Sequence, residues 1–199
     1  MKWTGAIFDF DGVIFDSEHA VHKAGNAVLK EHKLNEVSAE EFRKRKGNDW
    51  EWYERRGVSV PHKDIRNLFY QHFDRRSCGV TRNIRAVLHE FSTGNIPCGI
   101  VSAHNKDELV ETLDRFRLRH YFKEVVGDTL HKKEMLEHLC ERFSSPPSQT
   151  LFIGDLASDM EHGNKAELVT VLLAPPDYPH TEDAHHHIHE LRELLYFLK

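Results

Sequence analysis

Ala6-Ile-Phe-Asp-Phe-Asp-Gly-Val-Ile-Phe-Asp16 decides how this 199-residue chain is read. An apolar run carries two carboxylates, Asp9 and Asp11, and breaks at Gly12. Side chains at i and i+2 of an extended segment share a face. Two like charges held together at a strand end are unfavourable unless a cation or a shared proton relieves them. That arrangement suits phosphoryl transfer, in which one carboxylate attacks, its neighbour handles protons and a metal ion ties both to the phosphate. Asp-Gly is also ordinary turn chemistry, so the pair alone does not distinguish a site from a bend.

Working outward, Thr150-Leu-Phe-Ile-Gly-Asp155 is a second apolar run ending in Gly-Asp, with Asp159 four residues later. Ile96-Pro-Cys-Gly-Ile-Val-Ser102 is a third, ending in a hydroxyl, and His131-Lys-Lys-Glu-Met-Leu places a basic pair at a helix start. Short apolar runs at Gly5–Phe10, Pro97–Val101, Lys123–Val126, Thr150–Ile153 and Leu168–Leu173 are expected strands, several without alternation, as for strands covered on both faces. Between most of them lie helical patterns: Ile84, Val87, Leu88 and Phe91, then Leu109, Val110, Leu113 and Phe116, then Met135, Leu136 and Leu139. This alternation predicts an α/β fold with a parallel sheet. Such sheets bind ligands at the carboxyl ends of their strands, where Asp9, Ser102 and Asp155 fall.

The alternation breaks between Asp16 and about Val80, which reads as helices only. Ser38-Ala-Glu-Glu41 has the form of a capping box, for a helix carried to about Gly47. Asn48 or Asp49 would cap the next helix, ending at Gly57, and Ile65, Leu68, Phe69 and Phe73 mark another.

Asp-x-Asp, Ser, Lys and Gly-Asp-x-x-x-Asp, in this order over nearly the whole chain, resemble the haloacid dehalogenase-like hydrolase superfamily. The branch is that of phosphoglycolate phosphatase and beta-phosphoglucomutase. The resemblance implies a Rossmann-like parallel-sheet core, residues 1–16 and 80–199, with a small α-helical cap domain over 17–79. It implies Asp9 as nucleophile forming an aspartyl-phosphate and Asp11 as general acid and base. Ser102, with the backbone of Ala103, would bind the phosphoryl group, and Lys132 (Lys133 being the alternative) would neutralise charge. Mg²⁺ would be held by Asp9, the Asp11 carbonyl and Asp155, with Asp159 orienting its surroundings. An Asn or Gly commonly follows the family's hydroxyl, where this chain has Ala103-His104-Asn105, and the proline often found after the lysine is missing. Ser102 could otherwise cap the helix that begins near Asn105.

The implied activity is Mg²⁺-dependent hydrolysis of a small phosphomonoester, a phosphoglycolate-like compound being one candidate. A phosphomutase of the beta-phosphoglucomutase type is the alternative. That subgroup places a histidine in the first cap helix, where His19 and His22 lie near but Val21 occupies the position. A non-catalytic binding protein retaining the fold is a third reading. Arg43-Lys-Arg-Lys46 falls on an expected cap helix, either as a solvated face or as an anion-recognising one through Arg43, Arg45 or Lys46.

Net charge is −5, from 32 acidic and 27 basic residues, which gives no electrostatic reason for a nucleic-acid or membrane partner. No apolar run approaches the length of a membrane span. Cys78, Cys98 and Cys140 form no C-x-x-C pair, and a reduced, cytoplasmic chain, monomeric or weakly dimeric, is expected. His185-His-His-Ile-His189 has a metal-binding look but also reads as an edge strand entering a terminal helix.

Overall fold

The computed structural model describes residues 3–46, 50–129 and 131–198. The expected strands form one six-stranded parallel sheet. Its members are β1 (Gly5–Phe8), β4 (Cys98–Val101), β5 (Phe122–Val126), β6 (Thr150–Gly154), β7 (Val169–Leu173) and β8 (His186–Ile188). Their order across the sheet is β5-β4-β1-β6-β7-β8. The chain first builds outward from β1 through β4 to β5. It then crosses to the other side of β1 and builds outward again, so β1 sits at the reversal point where such sheets bind ligands.

The non-alternating runs have a simple cause. Successive strand residues point to opposite faces, and both faces are covered. Ala6 and Phe8, Cys98 and Ile100, Leu151 and Ile153 join one apolar cluster with α5 (Ile84–Thr93) and α6 (Lys106–Arg115). Ile7, Val101 and Phe152 join another with Leu136, Leu139 and Phe143 of α7 (Lys132–Phe143). A further helix, α8 (Ala157–Lys165), follows β6 and packs Met160 against Leu172. The terminal helix expected after the histidine tract is a 3₁₀ helix, Leu191–Leu198.

Between β1 and β4 lie α1 (Glu18–Glu31), α2 (Ala39–Arg43), α3 (Glu51–Arg55) and α4 (His62–His72). They share their own apolar cluster, including Ala24, Val28, Phe42, Trp52, Ile65 and Phe69. The sequence patterns do not anticipate the short strand pair beneath them. β2 (Phe15–Asp16) and β3 (Gly79–Val80) pair antiparallel and bring the two crossing points of the chain together. Two-residue strands are too short to leave a period.

The basic segment also differs from expectation. Ser38 caps α2 by accepting from Glu41 N, but the helix stops at Arg43, and Lys44–Lys46 leave it as a strap. The strap's carbonyls are taken by the core: Ser158 N donates to Lys46 O (2.9 Å), the Tyr178 hydroxyl to Arg45 O (3.2 Å), and His180 Nε2 to Lys44 O (3.2 Å). Bonding to the core replaces the helical turns that the charge run would otherwise continue. Asn48 and Asp49, the expected caps of the next helix, lie outside the described residues.

Candidate active site

β1 ends at Phe8, one residue before Asp9, whose N–H still donates to Ile153 O of β6 at 2.8 Å. The backbone then turns through Gly12, at φ +74°. A Cβ there would stand 2.1 Å from Asp155 Oδ2, so Gly is required both by conformation and by the close approach of the Asp155 carboxylate. Gly154 serves the same end on β6, since a Cβ would lie 2.4 Å from that of Asp159.

Asp9, Asp155 and Asp159 offer carboxylate oxygens that lie within 4.8 Å of one another, and they are the group of metal-capable side chains found among the described residues. Lys132, the first residue of α7, reaches between two of them, 2.8 Å from Asp9 Oδ1 and 2.6 Å from Asp159 Oδ1. Asp159 Oδ2 accepts from Leu156 N at the start of α8, which fixes the carboxylate. Lys133 points elsewhere, to Glu137.

Burial pushes the Asp9 carboxyl up to about 7; Lys132 opposes this, while Asp159 and Asp11 add to it. Burial, then Asp159 and Asp9, hold Asp155 well above its ordinary value, with Arg45 and Lys132 offsetting part. For Lys132 burial acts downward, but Asp159 and Asp9 outweigh it and keep the ammonium charged. Burial and mutual repulsion thus oppose full ionisation of the three carboxyls, which a bound cation would relieve, and the donors are all oxygen. That donor chemistry fits a hard divalent cation.

Asp11 takes a separate partner. Its Oδ2 lies 3.1 Å from His104 Nδ1, while Oδ1 is buried without a hydrogen-bond partner among the described residues. Ser102, at the end of β4, accepts from His104 N at 3.1 Å. Asn105, not Ser102, caps α6, accepting from Glu108 N at 3.2 Å.

A cavity of about 280 Å³ opens from Asp9, Asp11 and Asp155 toward the helical module. Val21 and Arg43 line it from the module, and Thr81, Arg82 and Tyr178 from the core. Ser17 Oγ and Thr81 Oγ1 are buried on its wall without hydrogen-bond partners among the described residues. Arg43 is held by Glu18 at 2.6 Å. Arg45 also lines the cavity, its guanidinium 3.9 Å over the Phe42 ring. The exposed Lys46 is not among the lining residues, and its backbone carbonyl docks on the core.

The structure thus gathers Asp9, Asp155 and Asp159, with Lys132 bonded to Asp9 and Asp159, while Asp11 lines the same cavity and pairs with His104. It places Arg43 across the cavity and leaves Lys46 outside it. His104, Tyr178 and Thr81 were not legible as site residues, because none belongs to a motif with its own spacing. His104 alone left a trace, as the odd residue after the strand-end hydroxyl.

The histidine tract is occupied locally. His185 Nδ1 pairs with Thr170 Oγ1 at 2.7 Å, and His187 and His189 both meet Ala174 O at 3.0 Å.

Comparison with known proteins agrees with this geometry. The chain is 23% identical over 171 residues to a phosphoglycolate phosphatase of Synechococcus elongatus, covering 83% of this chain and 81% of that protein. A haloacid dehalogenase-like family protein of Streptococcus pneumoniae superposes with TM-score 0.82 at 18% identity, over 99% of both chains. A hydrolase of Pseudomonas syringae does so with TM-score 0.80 at 17% identity, over 98% of this chain and 97% of that one. These two likenesses carry the fold. Residues 6–173 match the sequence pattern of the haloacid dehalogenase-like hydrolases, and the chain belongs to that family.

Proposed function

We propose that this hydrolase is a Mg²⁺-dependent phosphatase of small phosphomonoesters that works through an aspartyl-phosphate on Asp9. One observation carries the reading: a buried carboxylate held by a lysine, beside two more acids, on the wall of a cavity of about 280 Å³. Asp9, Asp155 and the Asp11 carbonyl would hold the ion. Bound Mg²⁺ would neutralise phosphoryl oxygens and keep the phosphate beside Asp9.

In this reading Asp9 attacks phosphorus and the P–O bond to the alcohol breaks. Asp11 gives the departing oxygen its proton, then takes one from the water that hydrolyses the aspartyl-phosphate. Ser102 already accepts from His104 N, so its own hydrogen is free to donate to a phosphoryl oxygen, and the Ala103 N–H is the second donor. Lys132, supported by Asp159, offsets charge on the transferring group.

Residues 17–79 act as a cap over the core formed by 1–16 and 80–199, excluding water and reading the rest of the substrate. Arg43 on the cap and Arg82 on the core suit a second anionic group, and the Ser17 and Thr81 hydroxyls, without partners among the described residues, suit a polar leaving group. A phosphoglycolate-like compound has this character, in line with the name of the Synechococcus relative.

The geometry favours hydrolysis over the mutase alternative. Val21 lines the cavity, whereas His19 bonds Ser77 Oγ and His22 bonds Val37 O. Free-phosphate release across a phosphometabolite panel, with and without Mg²⁺, tests the proposal. Metal-dependent release is expected, and no release from any phosphomonoester would overturn it.

A further inference from the structure

We infer that His104 is a positioning residue for the reaction: its ring holds Asp11 by one carboxylate oxygen and so fixes the orientation of the group that carries the proton to and from substrate. This rests on the phosphatase reading above.

The His104 ring is buried, 3% exposed, and its hydrogen-bond roles are fixed by its neighbours. Arg75 contacts Nε2, and guanidinium can only donate. A neutral ring must then carry its hydrogen on Nδ1, and a charged ring carries one there as well. In both states Nδ1–H donates to Asp11 Oδ2, 3.1 Å away. Oδ2 is therefore engaged as an acceptor, which pins the Asp11 carboxyl in one orientation beside the cavity it lines.

The ring has little freedom to turn. Phe10, Tyr70 and Phe73 surround it at centroid distances of 6.2, 5.7 and 5.8 Å. Glu108, 3.2 Å from Nε2, also receives Arg75 and holds the guanidinium in place. Tyr70, Phe73 and Arg75 all come from the return end of the cap, so cap docking and Asp11 orientation share one set of contacts.

A misoriented general acid penalises poor leaving groups and spares good ones, whereas a generally disturbed site penalises all alike. The test is kcat/KM, which reports the phosphorylation of Asp9, for esters ranging from 4-nitrophenyl phosphate to simple alkyl phosphates. Asp11→Asn and three His104 variants are compared with the parent protein, all with Mg²⁺ saturating.

His104→Leu is expected to lose about 10- to 100-fold on alkyl phosphates and no more than about threefold on the nitrophenyl ester, steepening the leaving-group dependence. His104→Asn places an amide N–H where Nδ1 was and should recover most of the alkyl rate. His104→Gln, whose amide reaches the Nε2 position instead, should not.

Equal losses on every ester, or Asn performing no better than Leu, would overturn the positioning role. Steepening by Asp11→Asn but not by His104→Leu would overturn it while leaving the phosphatase reading intact. No steepening by Asp11→Asn would remove the acid assignment and this inference with it.

Discussion

At the scale of single residues, Asp9 and Lys132 carry opposite consequences when removed. Asp9→Asn keeps the shape of the side chain and relieves a buried charge, so the protein should fold at least as well. Turnover should fall by several orders of magnitude, because no neighbouring group replaces a covalent route; a tenth of parental phosphate release remaining would sink the nucleophile assignment. Lys132→Met does the reverse to stability. It strips the shared cation from Asp9 and Asp159, which sit within 2.8 Å of it. Leaving buried charge uncompensated should destabilise the metal-free protein by about 3–5 kcal/mol in urea unfolding. Lys133→Met, losing only a solvent-screened pair with Glu137, should leave the urea midpoint close to that of the parent protein. Similar losses for both would mean that the cluster does not depend on Lys132. The two lysines could not be told apart by spacing, because the choice turns on where α7 begins, and helix starts are set within a residue or two by contacts outside the helix. Asp9 and Asp155 were legible for the opposite reason: each ends a strongly apolar run, and the end of a strand is a fixed place in a parallel sheet.

Elements divide along the same line. Five of the six strands were written in short apolar runs and α5 to α7 in apolar periodicity, since these elements bury faces against one another across the sheet, whereas β8 lies in the histidine tract. The strap of Lys44–Lys46 was not. Its place depends on three backbone carbonyls accepting bonds from Ser158, Tyr178 and His180, and a carbonyl leaves no mark in the side-chain pattern. Charge alone therefore suggested a continuous basic helix, where the chain instead ends α2 and docks. Tyr178 is the centre of that docking, because its hydroxyl also accepts from Ala157 N at 3.1 Å at the start of α8. Tyr178→Phe removes both bonds and little volume. A hydrogen bond contributes about 0.5–1.5 kcal/mol, so global unfolding should shift modestly while local opening of the strap becomes several-fold more frequent. Trypsin, which cuts after Lys44, Arg45 and Lys46, reads that opening directly. Cleavage there should accelerate several-fold in the variant, and an unchanged rate would show that the strap is held by other contacts.

For the whole molecule, the balance between burial and charge at the acidic cluster links stability to pH and to metal. The Asp9 carboxyl is raised from 3.8 to about 7 in the folded protein, chiefly by burial. A carboxyl whose folded pKa lies above its unfolded value binds its proton more tightly when folded. Its charged form therefore carries no penalty below the unfolded value and a full penalty above the folded one. Metal-free stability should fall as pH rises through the window from about 4 to about 7, and Asp155, shifted in the same direction, deepens the trend. A divalent cation binds the deprotonated cluster and not the unfolded chain, so its stabilisation should grow across the same window. Tm in saturating Mg²⁺ minus Tm in chelator is the measurable quantity, and it should be several degrees larger at about pH 7.5 than at about pH 5.5. In Asp9→Asn the metal-free protein should lose much of its pH dependence and gain less from Mg²⁺ at the upper end. Substituting His185, His187 and His189, whose rings serve Thr170 and Ala174, should leave the Mg²⁺ effect as it is. A Tm difference that is flat with pH, or one that disappears with those histidines instead of Asp9, would place the cation somewhere other than this cluster.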